Sequence, residues 1–343
     1  MASNITEGNF LIVNKGVIDS TLVEFFMTFN LMLCAVLIGI AGIVGNVINI
    51  LNFQKQGLQD SVNVTLTALA VSDIGALFFQ LLVNILFNPL WRRVQLPFSS
   101  SSVLAMVFFY PHGYFIRVSG FITAFAAFER CLCVVLPMDV KRIITRNVAV
   151  VVNIIIFIVL LLYLYPEHSV VYMDWLNIPA LNRTVLTFVF RENFEMVMTY
   201  TNITNDLFIP YITFLVLIIC TVVIVIQLKS KSKWRQSLLE HKLSRGSKTE
   251  LSIKDKKAVI MLTVVSVLYV SCLTPQCVLI TVIGFMQDLK VEGPLWDISL
   301  MTISFSSLLE TINCSVSFIV YYKMSSKFKE TLNSWLPVFK RIS

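Results

Sequence analysis

Charged and strongly polar side chains stand inside apolar stretches of this 343-residue chain, and their types and spacing limit the chemistry it can carry. Glu129 and Arg130 are neighbours at the end of one stretch, Asp73 lies in the middle of another, and His112, Arg117 and Glu310 are embedded in others. A charge at the centre of a bilayer costs about 3 kcal/mol or more, so each group needs a partner or a function. Glu129 offers the Arg130 guanidinium a neighbouring carboxylate, and Asp255, at the start of the sixth stretch, is a second candidate partner. His112 precedes Ser119 by seven residues, so the two share nearly one helix face. Glu310, one turn before Asn313, and Gln276, which follows Pro275, are expected to face the same interior. These groups either bind the polar or charged head of a ligand or satisfy one another. Ile116, Asn202 and Asp206 complete the candidate ligand-binding set. Arg117 lies two residues before Ser119, roughly 200° around the helix, and so faces away from Asp73. Asp206, four residues before Pro210, is its expected partner in a buried pair. No catalytic constellation is visible: there are no paired catalytic aspartates, and His112, His168 and His241 are too scattered for a metal cluster. The chain does not read as an enzyme.

The elements that must position these groups follow from composition. Hydrophobic residues make up 57% and charged residues only 14%, against about a quarter charged in soluble domains. Apolar runs near 25–51, 62–86, 103–135, 148–165, 208–228, 258–285 and 298–322 each reach the roughly 20 residues that cross a bilayer as a helix. A helix satisfies its own backbone in lipid, so the expected fold is an all-α membrane protein, a seven-transmembrane helix bundle. Residues 1–24 form an N-terminal segment, 25–322 the bundle, and 323–343 a short tail. In that tail Phe328, Leu332, Trp335 and Leu336 fall on one helical face, which predicts an amphipathic helix on the membrane surface.

Of 27 Lys and Arg, ten lie at 229–257, three in the second inner loop and five after the seventh run, against six on the opposite side. The excess of basic residues predicts an N-terminus outside and a cytoplasmic C-terminus. It is a loop beside a membrane and implies contact with lipids, not nucleic acid. Asn4 and Asn182 are candidate glycosylation sites on the outer side, with a third sequon at Asn202 near the bilayer. No cleavable signal peptide is evident. All seven cysteines fall in spans, so no outer disulfide is expected. In the second outer loop, the runs Thr184–Phe190 and Phe194–Tyr200 flank the polar Arg191-Glu192-Asn193 and predict a β-hairpin lid.

The order of the motifs resembles the class A, rhodopsin-like G-protein-coupled receptors over nearly the whole chain. The matching residues are Gly45-Asn46, Leu69-Ala70-Val71-Ser72-Asp73, Glu129-Arg130-Cys131, Pro137, Pro210, Cys272-Leu273-Thr274-Pro275 and Ser317-Phe318-Ile319-Val320-Tyr321. The run Asn313–Phe318 resembles invertebrate FMRFamide-type peptide receptors and chemosensory receptors. The resemblance implies a plasma-membrane receptor that couples an extracellular small molecule or short peptide to a heterotrimeric G protein. It implies a latch at Glu129, Arg130 and Asp255, and a switch through Leu273, Pro275 and Tyr321, with Pro275 bending its helix as a swivel. It implies an allosteric sodium ion, and no other cofactor, held by Asp73, Ser119, Asn313 and Ser317 with Asn46 close by. The alternative there is a water-filled polar network around a protonated Asp73. His112 occupies the third-span position where amine receptors carry Asp. A retinal photoreceptor is set aside because the first lysine after Ile298 is Lys323. The family's disulfide is missing, with Ala105 in place of the third-span cysteine, which predicts a second outer loop held by packing alone. Leu273 replaces the sixth-span Trp, and the fourth span lacks a Trp. The competing reading, a polytopic transporter or channel, favours internal repeats, and none is found.

Overall fold

The computed structural model describes residues 17–86, 97–99, 103–136, 139–178, 183–241, 253–289 and 293–336. Asn4 and Asn182 lie outside the described residues, as do the side chains of Asp206 and Asp255.

Among the described residues, seven helices are long and apolar enough to cross a membrane. They are α1 (Ser20–Gln56), α2 (Ser61–Leu86), α3 (Met106–Val135), α4 (Arg146–Val170), α5 (Phe194–Gln227, continuing helically to His241), α6 (Ile253–Phe285) and α7 (Trp296–Met324). An eighth, α8 (Ser326–Trp335), follows the bundle. Side chains supply the boundaries. The Asp19 carboxylate accepts from the Thr21 amide at the start of α1, the Thr145 hydroxyl caps α4, and the Ser325 hydroxyl caps α8 through the Phe328 amide. Gly57 ends α1 at φ 94°, a conformation that costs glycine nothing.

α1 packs on α2 and α7, α3 on α2 and α5, and α6 on α7. Small residues allow the close approaches. A Cβ on Gly42 would come within 2.7 Å of Ser315 Cβ on α7 and 2.8 Å of Leu77 Cδ1 on α2. The opposite faces of the helices carry exposed apolar side chains, such as Val151, Ile154, Ile158 and Leu162 on α4, as contact with lipid tails requires.

The hairpin lid exists with a different partner from the expected one. Strand β1 (Val171–Ile178) pairs antiparallel with β2 (Arg183–Phe190), from Val171 opposite Phe190 to Ile178 opposite Arg183. Phe194–Thr201, expected as the second strand, is instead helical and opens α5. Phe194, Val197, Met198 and Thr201 have the i, i+3, i+4, i+7 spacing of a helix stripe, which outweighs their strand-like composition. β1 escaped notice because its polar residues, Asp174 and Asn177, fall on opposite faces and leave no alternation. The lid is not held by packing alone. Ser99 N–H donates to the Leu186 carbonyl (2.8 Å) and Leu186 N–H to the Pro97 carbonyl (3.1 Å), forming a parallel bridge between Phe98 and β2. This backbone tether fastens the second outer loop to the first, and all seven cysteines are free thiols.

α8 docks by its apolar face. Phe328 and Leu332 are fully buried, and the Phe328 ring meets Phe53 and Tyr321. Asn52 on α1 fixes the register twice: its amide donates to the Phe328 carbonyl (3.0 Å), and its oxygen accepts from Trp335 Nε1 (3.1 Å).

Candidate functional site

The predicted site residues form three polar layers stacked along the bundle. At the end of α3, Glu129 is buried, and its Oε1 lies 3.6 Å from Arg130 Nη2. Consecutive residues on a helix do not face each other, so this contact is glancing. The group that turns Glu129 inward is one the sequence reading missed: the Ser61 hydroxyl on α2 donates to Oε1 at 2.5 Å. The Arg130 Nε–H is buried without a hydrogen-bond partner among the described residues. The guanidinium is therefore only partly engaged by its neighbour, as a releasable group would be. Tyr321 is packed edge-on against Phe53 (5.4 Å between centroids), and its hydroxyl has no hydrogen-bond partner among the described residues. Pro275 lies inside α6, and Leu273 is buried in a cluster with Phe214, Leu217 and Tyr269.

In the middle layer the Ser119 hydroxyl donates to Asp73 Oδ1 at 2.7 Å. Asp73, Ser119, Asn313 and Ser317 line one small cavity together with Thr123 and Tyr269. Room for the centre of a water-sized occupant is about 10 Å³, close to what one water needs. The Ser317 hydroxyl donates to Asn46 Oδ1 (3.0 Å) and accepts from the Asn49 amide (3.3 Å), which leaves it one lone pair. Asn46 also donates to the Cys314 carbonyl (2.8 Å) and so ties α1 to α7. The side chains expected to hold a cation offer oxygen donors, the type a small hard cation takes. The Cys314 thiol lies beside the Asp73 carboxylate as well.

In the third layer His112 bridges three helices. Its Nδ1 lies 3.0 Å from the Ala76 carbonyl on α2, and its Nε2 lies 3.3 Å from Glu310 Oε2 on α7. A carbonyl only accepts, so Nδ1 carries a hydrogen. The Nε2 contact then needs one more proton, either on an imidazolium facing a carboxylate or on a carboxyl facing a neutral ring. Both groups are buried. Around them lies a polar shelf that the sequence reading did not single out: Gln80 donates to Asn84 (2.8 Å) and to Ser307 on α7 (2.7 Å), and Asn30 on α1 donates to Ser304 (3.2 Å). The i, i+4 spacing of Gln80 and Asn84 in an apolar span was the available signal. Gln276 Oε1 is buried without a hydrogen-bond partner among the described residues, and Ile116 packs against two buried clusters, one that includes Leu273 and one that includes Cys314. Asn202 is exposed, because Thr201 and Asn205 take the buried face of that turn.

Arg117 meets the residue next to the expected one. Its Nε–H donates to the Asn205 carbonyl at 3.2 Å. Residues Asn202–Phe208 form a widened π-helical turn in which the Ile209 amide bonds Thr204, and Pro210 has no N–H to give. The Asn205 carbonyl is thereby released from the helix ladder and becomes available to Arg117. The Asn205 amide in turn donates to Glu167 Oε1 at 2.5 Å. Glu167 is a buried carboxylate that the sequence reading left in an outer loop. The expected Asp206 partnership falls on a side chain outside the described residues.

With this geometry in place, comparison with known proteins gives two findings. Residues 45–321 match the model of the 7 transmembrane receptor (rhodopsin family). A probable G-protein coupled receptor, frpr-1, of Caenorhabditis elegans is 26% identical over 338 residues, covering 92% of this chain and 81% of that protein.

Proposed function

Since this chain belongs to the rhodopsin family of seven-transmembrane, G-protein-coupled receptors, we propose that the His112–Glu310 layer reads its extracellular ligand and that Arg130 presents the response to a heterotrimeric G protein. The observation that carries this reading is the His112 bridge. It joins α2, α3 and α7 through the two ring nitrogens of one side chain, in a layer separate from Glu129–Arg130. A ligand head that competes for Glu310 or for Nε2 changes how those three helices are tied together. The candidate contacts are His112, Ile116, Gln276 and Glu310, and Asp206 is kept as a candidate partner of Arg117.

The ligand class in this proposal is a chemosensory small molecule or a short peptide. The β1–β2 lid, tethered at Phe98, gives a peptide an extended backbone to lie against, and this favours the peptide as the second reading. The protein sits in the plasma membrane with its N-terminus outside and its C-terminus in the cytoplasm, and Asn4 and Asn182 are its glycosylation sites. A sodium ion is held by Asp73, Ser119, Asn313 and Ser317, whose side chains offer oxygen donors around one small cavity.

The test is nucleotide exchange on co-expressed G proteins while short amidated peptides and water-borne metabolites are screened on cells expressing the full chain. An active compound whose potency falls at least about tenfold in Glu310→Gln, a loss of about 1.4 kcal/mol, supports the reading. Activation that ignores both Glu310→Gln and His112→Ala would move the ligand site elsewhere. Solute flux without nucleotide exchange would favour a transporter.

A further inference from the structure

The seam between α3 and α5 carries a pair of thiols that the receptor reading does not use. On α3, Ala124, Ala127, Cys131 and Val134 fall on one stripe at helical spacing, and on α5 Leu217, Cys220 and Ile224 do the same. Ala124, Ala127, Leu217 and Cys220 belong to one buried cluster, Val134 and Ile224 to another, and Cys131 packs against both. The Cys131 thiol lies beside the Cys220 thiol, and both are free. The small side chains of the α3 stripe let the two helices approach closely. A disulfide needs that closeness, because its Cβ atoms stand only about 3.5–4.5 Å apart.

The two thiols differ in access. Cys220 is buried, at 5% exposure, whereas Cys131 is partly exposed, one residue after Arg130 and close to the end of α3 at Val135. A small uncharged oxidant entering from that end meets Cys131 first and finds Cys220 behind it. Hydrogen peroxide has both properties. Its O–O bond breaks as Cys131 Sγ takes one oxygen, which leaves a sulfenic acid and one water. The Cys220 sulfur then attacks Cys131 Sγ and an S–S bond forms. The sulfenic hydroxyl departs with the Cys220 thiol proton as a second water. The two thiols have lost two electrons and the peroxide has gained them. Two equivalents of a small thiol of the glutathione type reverse the bond by exchange and leave as their own disulfide. Cys133 is partly exposed too, but two residues along the helix turn it roughly 200° away from Cys131 and so away from Cys220.

We propose that Cys131 and Cys220 form a reversible oxidation site, at which a hydroperoxide joins α3 to α5 by a disulfide. The bond itself is independent of any ligand. Its consequence rests on the reading that Arg130 presents the response to a G protein: a covalent tie one residue from Arg130 fixes α3 against α5 and lowers nucleotide exchange.

The test uses the full chain in lipid nanodiscs, treated with hydrogen peroxide, blocked with a thiol-alkylating reagent and cut with trypsin without reduction. Cleavage after Arg130, Lys141, Arg191 and Lys229 puts Cys131 and Cys133 on one peptide, 131–141, and Cys220 alone on another, 192–229. The joined mass of these two peptides is expected in the wild type and in Cys133→Ser, and at least about tenfold less of it in Cys131→Ser and in Cys220→Ser. The wild-type measurement needs no variant to fold. Separate peptides in the oxidised wild type would overturn the proposal, as would a joined mass that survives in Cys131→Ser. Nucleotide exchange on an added G protein is read in parallel. It is expected to fall at least about fivefold when the wild type is oxidised and to recover with a dithiol, while oxidised Cys131→Ser shows no fall. A joined mass with unchanged exchange would leave the oxidation site standing and contradict the part assigned to Arg130.

Discussion

Replacing Glu129 by Gln removes one charge from the inner layer and keeps the shape of the side chain. The amide oxygen still accepts from Ser61, so the α2–α3 bond survives. What is lost is the attraction between a buried carboxylate and Arg130 Nη2 at 3.6 Å. Two unit charges near that separation attract by about 4 kcal/mol at an effective dielectric of 20. Desolvation of the carboxylate offsets much of this, so a net loss near 1.4 kcal/mol, a factor of about ten in the share of receptors with Arg130 released, is the expected scale. Basal nucleotide exchange, divided by the number of receptors at the cell surface, should rise by about that factor. Ser61→Ala removes a hydrogen bond to a charged group, worth about 1.5–3 kcal/mol, and should raise exchange in the same direction. Wild-type basal exchange in both variants, at normal surface expression, would refute the idea that Glu129 restrains Arg130.

Three further outcomes follow from the same structure. Asn52→Ala breaks both bonds that dock α8 and should lower thermal stability by about 2 kcal/mol, measured as a fall in Tm of the purified receptor; an unchanged Tm would mean that the apolar face alone holds α8. Because the lid is tied by backbone bonds at Ser99 and Leu186 and all cysteines are free, a reducing agent should leave the response to any active compound unchanged; loss of response would point to a disulfide. Exchanging choline for sodium should lower the Tm of the wild type but not of Asp73→Asn, by about 1.4 kcal/mol of stability if sodium stands at roughly ten times its dissociation constant; equal shifts in both would remove the ion from that cavity.

Features set by local pattern were legible before the structure. Seven runs of apolar residues gave seven spans, and the i, i+4, i+7, i+8 stripe of Phe328, Leu332, Trp335 and Leu336 gave α8, whose buried residues are Phe328 and Leu332. The Asp73–Ser119 grouping was implied by the family resemblance, and the His112–Glu310 grouping followed from side chains that face the interior by helical phase. Contacts that depend on tertiary placement were not. Ser61 meets Glu129 only because the close-packed start of α2 abuts the end of α3. The Asn205 carbonyl becomes an acceptor only because Pro210 and a widened turn free it. β1 had no period to betray it, and the apolar run at Phe194 was helical in phase but strand-like in composition.

The account stands on which face of the membrane each layer meets, and epitope access reads this most directly. Tags are placed at both termini of the full chain, and antibody binding is compared on intact and permeabilised cells. The N-terminal tag should be stained on intact cells and the C-terminal tag only after permeabilisation. Staining of both tags on intact cells, or of neither, would contradict an odd number of crossings and with it the path from His112 to Arg130.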